Sequence, residues 1–141
     1  MSVRDGRSLY QDLIVDHGNS PRNEGALEGA THAATQRNPL CGDRVTVSLR
    51  VEGSVIRAAR FEARGCLIAR ASASILTEQV AGRQVPTALQ LASILETLVA
   101  GAPGSTDAGP LEPLRGAREF PARRACVMLP WRALVEALKD A

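Results

Sequence analysis

Apolar residues recur along this chain in two rhythms, one of three to four residues and one of two. The switches between them outline the elements. Over residues 8–17, Tyr10, Leu13, Ile14 and His17 fall at i, i+3, i+4 and i+7, which predicts a helix with one apolar face. Ser8 followed by Gln11 has the form of a capping box at its start. Gly18-Asn19-Ser20-Pro21-Arg22-Asn23 is made of turn formers and ends it. Residues 24–37 are small and polar, with a short strand expected over 33–36. From Val45 the rhythm is two: Val45-Thr46-Val47-Ser48-Leu49-Arg50-Val51 alternates as a half-buried strand does. Glu52-Gly53-Ser54 is a turn, and residues 55–63 return as a second strand. So short a link allows only antiparallel pairing, which carries the segment before Val45 and the segment after Ala63 to the same end of the hairpin.

The helical rhythm then resumes. A helix over 66–81 is rich in small residues (Ala69, Ala71, Ser72, Ala73, Ser74) and meets a stop at Gly82. Pro86 opens another, over 86–100, with Ala88, Leu91, Ala92, Leu95, Leu98 and Val99 on one stripe. Residues 101–110 have loop composition, and 111–116 suit a short turn or helix. A helix is expected after Pro121, and Pro130 is expected to restart a last one whose face carries Trp131, Leu134, Val135 and Leu138. The fold class is α+β, a small antiparallel sheet of about three strands packed by about five helices, in a single domain spanning 1–141.

Composition narrows the function. With 45% hydrophobic and only 3% aromatic residues, the core is aliphatic and large enough to stand without disulfides. A net charge of +2 and so few aromatics argue against a nucleic-acid binder. The chain has no apolar run of about 18 residues, so no membrane span is expected. Its first residues lack the apolar core of a signal peptide, so the cytoplasm is the expected compartment. Thiols stay reduced there, and three cysteines are an odd number, so metal ligation or thiol chemistry accounts for them better than disulfides.

Asn38-Pro39-Leu40-Cys41-Gly42-Asp43 places a thiol and a carboxylate on one glycine-containing loop. Cys66 stands at a predicted helix N-terminus, where the helix dipole favours a thiolate. Cys126 comes from a distant segment. Three thiolates and a carboxylate make a tetrahedral zinc site, although nothing in the spacing resembles a zinc knuckle. The residues alone leave other readings open. Cys126, between Ala125 and Val127, also reads as a small buried hydrophobe, and Asp43 also reads as a turn cap or a partner of Arg44. His17 and His32 are possible ligands too, but His17 continues an apolar face and reads rather as a satisfied semi-buried histidine, while His32 carries no assignment. Arg123 and Arg124 read as solvated surface or as a weak phosphate contact, and Arg123 also reads as a cation that stabilises a thiolate or sulfur anion nearby.

The order Leu9-Tyr10, Ile14, Asp16-His17 and Asn19-Ser20-Pro21-Arg22-Asn23, then Asn38-Pro39-Leu40-Cys41-Gly42-Asp43, resembles the IscU/NifU-N/SufU superfamily of iron–sulfur assembly proteins. So do Phe61-Glu62-Ala63-Arg64-Gly65-Cys66 and Ala71-Ser72-Ala73-Ser74. IscU-type scaffolds carry a histidine directly before the third cysteine and a Leu-Pro-Pro-Val-Lys stretch upstream. This chain has Ala125 at the first place and no such stretch. An extra segment around 101–118 and the run Phe120-Pro121-Ala122-Arg123-Arg124-Ala125-Cys126 make it similar to the SufU branch. That resemblance implies an IscU/SufU-like fold, Zn²⁺ held by Cys41, Asp43, Cys66 and Cys126, and a sulfurtransferase. It further implies that Cys41 accepts persulfide sulfur from a SufS-type cysteine desulfurase for a SufB-containing scaffold complex, with Arg123 near the site. A monomer or weak dimer is expected. The alternatives are a scaffold assembling a [2Fe–2S] cluster on the same ligands, and a zinc module that only docks. Leu67, Arg70 and Pro130 depart from the branch's pattern without removing a ligand, and Arg70 puts partner docking in question.

Overall fold

A computed structural model of the protein describes residues 6–39, 42–100 and 109–139. The expected loop over 101–110 falls mostly outside them, as does Cys41. Helix α1 (Gly6–Asn19) leads into the edge strand β1 (His32–Arg37). The hairpin β2 (Arg44–Glu52) and β3 (Val55–Arg64) follows. Then come α2 (Leu67–Val80), α3 (Val85–Val99), 3₁₀ segments Gly109–Glu119 and Pro121–Arg123, and α4 (Arg124–Ala137). The strands form one antiparallel sheet in the order β1-β2-β3. Four α-helices, not five, lie among the described residues, because the helix expected after Pro121 and the one expected to restart at Pro130 are a single helix, α4. The expected short turn or helix at 111–116 lies within the 3₁₀ segment Gly109–Glu119. Helix α1 already includes Gly6, so Ser8 lies inside it and does not cap it.

The hairpin register is set by its two-residue turn and by the alternation read from the sequence. Val45, Val47, Leu49, Ile56, Ala59 and Phe61 point inward and are buried. On the other face Thr46 meets Glu62 and Ser48 meets Arg60, in a surface open to solvent. The β3 edge is partly covered: Phe61 donates its amide to Asn23 O (3.0 Å) and accepts from Gly25 N (2.7 Å).

Helix α2 is the hub. It packs against α1, α4 and β3, and most of its length is buried, including Ser72, Ser74 and Thr77. Its small residues let the neighbours approach, and its hydroxyls satisfy their polar groups. Ser74 Oγ accepts from Arg22 N (2.8 Å) and lies 2.8 Å from His17 Nδ1. Thr77 Oγ1 accepts from Asn23 Nδ2 (3.1 Å). The turn expected after α1 is thereby fastened to α2, with Asn23 held at a φ of 62°.

Helix α4 departs from expectation. It runs unbroken through Pro130, which is buried inside it. Proline removes one helical hydrogen bond and crowds the preceding turn. Here α2 supports that turn: Ser72 Oγ donates to Val127 O (2.6 Å) and accepts from Trp131 Nε1 (3.1 Å). Trp131, Leu134 and Leu138 are buried as the helical rhythm predicts, but Val135 is 38% exposed.

Two predictions follow from these contacts. Ser72→Ala orphans the Trp131 N–H and strips the Val127 carbonyl of its outside donor, each worth roughly 1–3 kcal/mol when left buried and unmade. Urea unfolding should register a loss of about 2–4 kcal/mol, with part recovered in the Ser72→Ala, Trp131→Phe double variant. His17 is buried with Glu78 3.7 Å away, and burial, then the Arg22 charge, lowers its pKa below 6.5 against the opposing pull of Glu78 and Asp16. The unfolded chain therefore takes up the proton first. The stability held by neutral His17 is present above pH 6.5 and is lost as the pH falls from there to the folded-state value. Unfolding titrations from pH 7.5 downward should show this loss in the wild type and a flatter profile in His17→Gln.

Candidate metal centre

The hairpin register brings the candidate ligands together. Arg44 stands opposite Arg64, so Asp43, just before β2, faces Gly65 and Cys66, just after β3. The short connection between β1 and β2 is closed by its own backbone: Asn38 N donates to Asp43 O (2.8 Å) and Gly42 N to Asn38 O (2.8 Å). Gly42 has a φ of 76°, a conformation suited to glycine.

Asp43 is 3% exposed. Its Oδ1 accepts the Cys66 amide at 3.1 Å, while Oδ2 is buried with no hydrogen-bond partner among the described residues. A carboxylate oxygen in that state costs free energy unless a cation meets it. Gly65 makes the burial possible. A Cβ built there would lie 1.9 Å from Asp43 Oδ1, and its φ of 130° excludes ordinary side chains as well. Nothing in the sequence signals this cradle, because Asp43 and Gly65 lie in separate segments that meet only in the folded hairpin.

Cys66 is the N-cap of α2, one residue before the helix and not within it, and its Sγ accepts from Ala69 N at 3.4 Å. The helix terminus thus favours the thiolate as expected, yet burial outweighs it and pushes the thiol's pKa up; the Ala69 bond pulls it down and Asp43 adds to the rise. Cys126 reaches the same point from the first turn of α4. Both thiols are half-buried and neither is in a disulfide. One ligand atom from each of Asp43, Cys66 and Cys126 lies within 4.8 Å of the other two. The orphaned Oδ2, the glycine cradle and a two-sulfur, one-oxygen donor set fit a zinc ion.

Arg123 ends the 3₁₀ segment before α4, exposed, with its guanidinium 5.6 Å from the Phe120 ring centre. It lines an open groove of about 790 Å³ with Cys66, Cys126, Val15, Leu67 and Ile68. Val15 (52%) and Leu67 (39%) are among the few large apolar side chains exposed to solvent. Leu67 leans over Gly18, where a Cβ would meet it at 2.3 Å. Arg70 forms an ion pair with Glu24. His17 and His32 are not part of the ligand cluster; His32 Nδ1 lies 2.8 Å from Thr31 Oγ1. No helix among the described residues is long and apolar enough to cross a membrane.

Over residues 9–140 the chain matches the NifU-like N-terminal domain family. It is 38% identical over 129 residues to the zinc-dependent sulfurtransferase SufU of Bacillus subtilis, spanning 90% of this chain and 87% of that protein. It is 35% identical over 136 residues to the iron–sulfur cluster assembly scaffold protein IscU of Thermotoga maritima, spanning 94% of each. The crystal structure of an iron–sulfur cluster assembly scaffold protein for the SUF system from Fervidobacterium islandicum is similar to it with a TM-score of 0.85 at 30% identity, over 93% of this chain and 97% of that one. The chain belongs to the NifU-like N-terminal domain family, as a SufU-like member of the group that also contains IscU.

Proposed function

We propose that this protein is a zinc-dependent sulfurtransferase of SUF-type iron–sulfur cluster assembly, working in the cytoplasm as a single-domain carrier. It accepts persulfide sulfur from a SufS-type cysteine desulfurase and passes it towards a SufB-containing scaffold complex. The observation that carries this reading is the cluster of Asp43, Cys66 and Cys126 ligand atoms, with Asp43 Oδ2 buried and unpartnered among them. The similarity to a zinc-dependent SufU supports the same choice. So does Ala125, which offers no imidazole beside Cys126.

Asp43, Cys66 and Cys126 would hold the ion, and Cys41 would complete the tetrahedron and serve as the working thiol. Zinc, when bound, keeps its cysteine ligands deprotonated at neutral pH and takes no part in redox change. Asp43 stays in place because Cys66 N–H holds Oδ1 and Gly65, without a Cβ, leaves the space its carboxylate fills. As a free thiolate, Cys41 attacks the outer sulfur of the donor's persulfide. A new S–S bond forms, the donor's own S–S bond breaks, the donor cysteine leaves as a thiolate, and Cys41 keeps the persulfide. Arg123 supplies a fixed positive charge on the groove beside the thiols, where it stabilises the sulfur anion in transit. The exposed apolar side chains of Val15 and Leu67 give that groove a surface on which a donor protein is received.

The similarity to IscU favours a second reading, a scaffold that builds a [2Fe–2S] cluster on the same residues. Metal analysis with a visible spectrum of anaerobically purified protein separates the two. The sulfurtransferase reading expects about one zinc per chain and a colourless protein, because Zn²⁺ is d¹⁰. Stoichiometric iron with visible absorption, and no zinc, supports the scaffold and defeats the carrier. Asp43→Ala should lower zinc content, and Gly65→Ala should lower it too by pushing the carboxylate out of its cradle while every ligand is retained.

Persulfide transfer has its own test. Cys41→Ala should leave circular dichroism unchanged and abolish both acceptance of radiolabelled sulfur and stimulation of the desulfurase. Normal stimulation by this variant would leave only the docking role.

A further inference from the structure

The sheet register produces an arrangement that the metal centre does not use. Arg37 stands opposite Arg44 on β1 and β2, and Arg44 stands opposite Arg64 on β2 and β3. Their strand neighbours Gln36, Val45 and Ala63 face the helices, so all three guanidinium groups project from the solvent face. Directly opposed like charges on neighbouring strands are destabilising. Arg44 has such a neighbour on both sides. Other arginines of the fold are paired: Arg22 with Asp16, Arg57 with Glu52, Arg70 with Glu24 and Arg115 with Glu112. Among the described residues, Arg37, Arg44 and Arg64 make no ion pair. Glu62, one row along, borders Arg44 and Arg64 and still forms no ion pair with either. The three arginines and Gly42 surround a depression of about 240 Å³. Gly42 adjoins Cys41 in sequence, so the row lies at the edge of the candidate site's own loop.

We propose that the Arg37–Arg44–Arg64 row is a docking surface for an acidic segment of a partner protein. Strands about 4.8 Å apart spread the three charges over roughly 10 Å. That line suits carboxylates repeated along a chain better than one small anion, which needs donors converging on a point. Arg37 and Arg64 are exposed, so an extended occupant reaches them without any opening of the fold. The row lies on the solvent face of the sheet, whereas the groove beside Cys66 and Cys126 is lined by α1, α2 and the start of α4. An acidic partner would therefore lie alongside the Asn38–Asp43 loop while leaving the helical groove free. This inference does not depend on the metal or on sulfur transfer.

A fluorescein-labelled hexa-aspartate peptide, followed by anisotropy at low and moderate salt, is a direct probe. Binding that weakens with salt is expected, with a loss of about tenfold or more in Arg44→Gln, Arg64→Gln and no change in Arg57→Gln, a paired arginine on the same sheet. No binding, or equal loss in the Arg57 variant, overturns the proposal. Displacement by inorganic phosphate at equal total charge overturns it too, by marking a small-anion site. Thermal unfolding adds a readout that a structural role would move the other way. Arg44→Gln should be at least as stable as wild type at low salt, because it relieves repulsion. A less stable variant would mean that the row holds the sheet together, against the proposal.

Discussion

The bond from Ser72 to the Val127 carbonyl is the contact that ties helix α4 to helix α2. It joins the two helices that carry the candidate thiols, at a point one residue beyond Cys126 and within the helix that Cys66 caps. The same hydroxyl takes the Trp131 indole proton, so the largest buried side chain is oriented by the group that supports the proline-bearing turn. An aliphatic core of Leu, Val and Ala is not directional. It tolerates sliding of one helix along another at little cost in buried area. Buried hydroxyls do not, since each displaced donor or acceptor is left unmade in a low dielectric. Ser74 and Thr77 do for the turn after α1 what Ser72 does for α4. The small-residue helix thus works as a set of polar stops that give an otherwise oily core one register.

That rigidity explains how a buried carboxylate with one unmatched oxygen can persist. Asp43 is held by the Cys66 amide, by the closed connection between β1 and β2, and by the space over Gly65. None of these satisfies Oδ2. The fold gives up stability for an acceptor that has no donor among the described residues and that a cation would complete, which is the usual relation between a preorganised site and its scaffold. The raised Cys66 pKa has the same origin: burial that suits a metal-bound thiolate disfavours a bare one.

Much of this was legible in the sequence where the cause was local. The alternation over 45–51, the short turn and the rhythm of 86–100 each specify their element, and the hairpin alone brings Asp43 to Cys66. What could not be read depends on contacts between distant residues. Pro130 reads as a helix break until Ser72 is seen beneath the preceding turn. Ala71-Ser72-Ala73-Ser74 reads as a smooth packing surface until its hydroxyls find partners more than fifty residues away. Gly65 carries no sign of the carboxylate over it. Capping-box residues within α1 show the opposite error, a local pattern that the helix grows past. Arg37, Arg44 and Arg64 are unremarkable in sequence and become neighbours only once three strands are in register.

The end of the hairpin therefore meets two unlike surfaces. Towards the helices the candidate ligands border an apolar groove with Val15 and Leu67 exposed and Arg123 on its wall. Across the sheet, Gly42 of the same connection borders the Arg37–Arg44–Arg64 row. The apolar groove gains affinity by excluding water, is nearly indifferent to salt, and places a partner by shape. The arginine row acts at longer range, is screened by salt, and governs how fast an acidic partner arrives more than how long it stays. A loop between surfaces that recognise by different physics can be approached from either side by proteins that do not compete for the same contacts. The sulfur-carrier role proposed above, which would collect from one protein and deliver to another, would need that property, and Gly42 and Asp43 stand at the end of the sheet where the two surfaces come together.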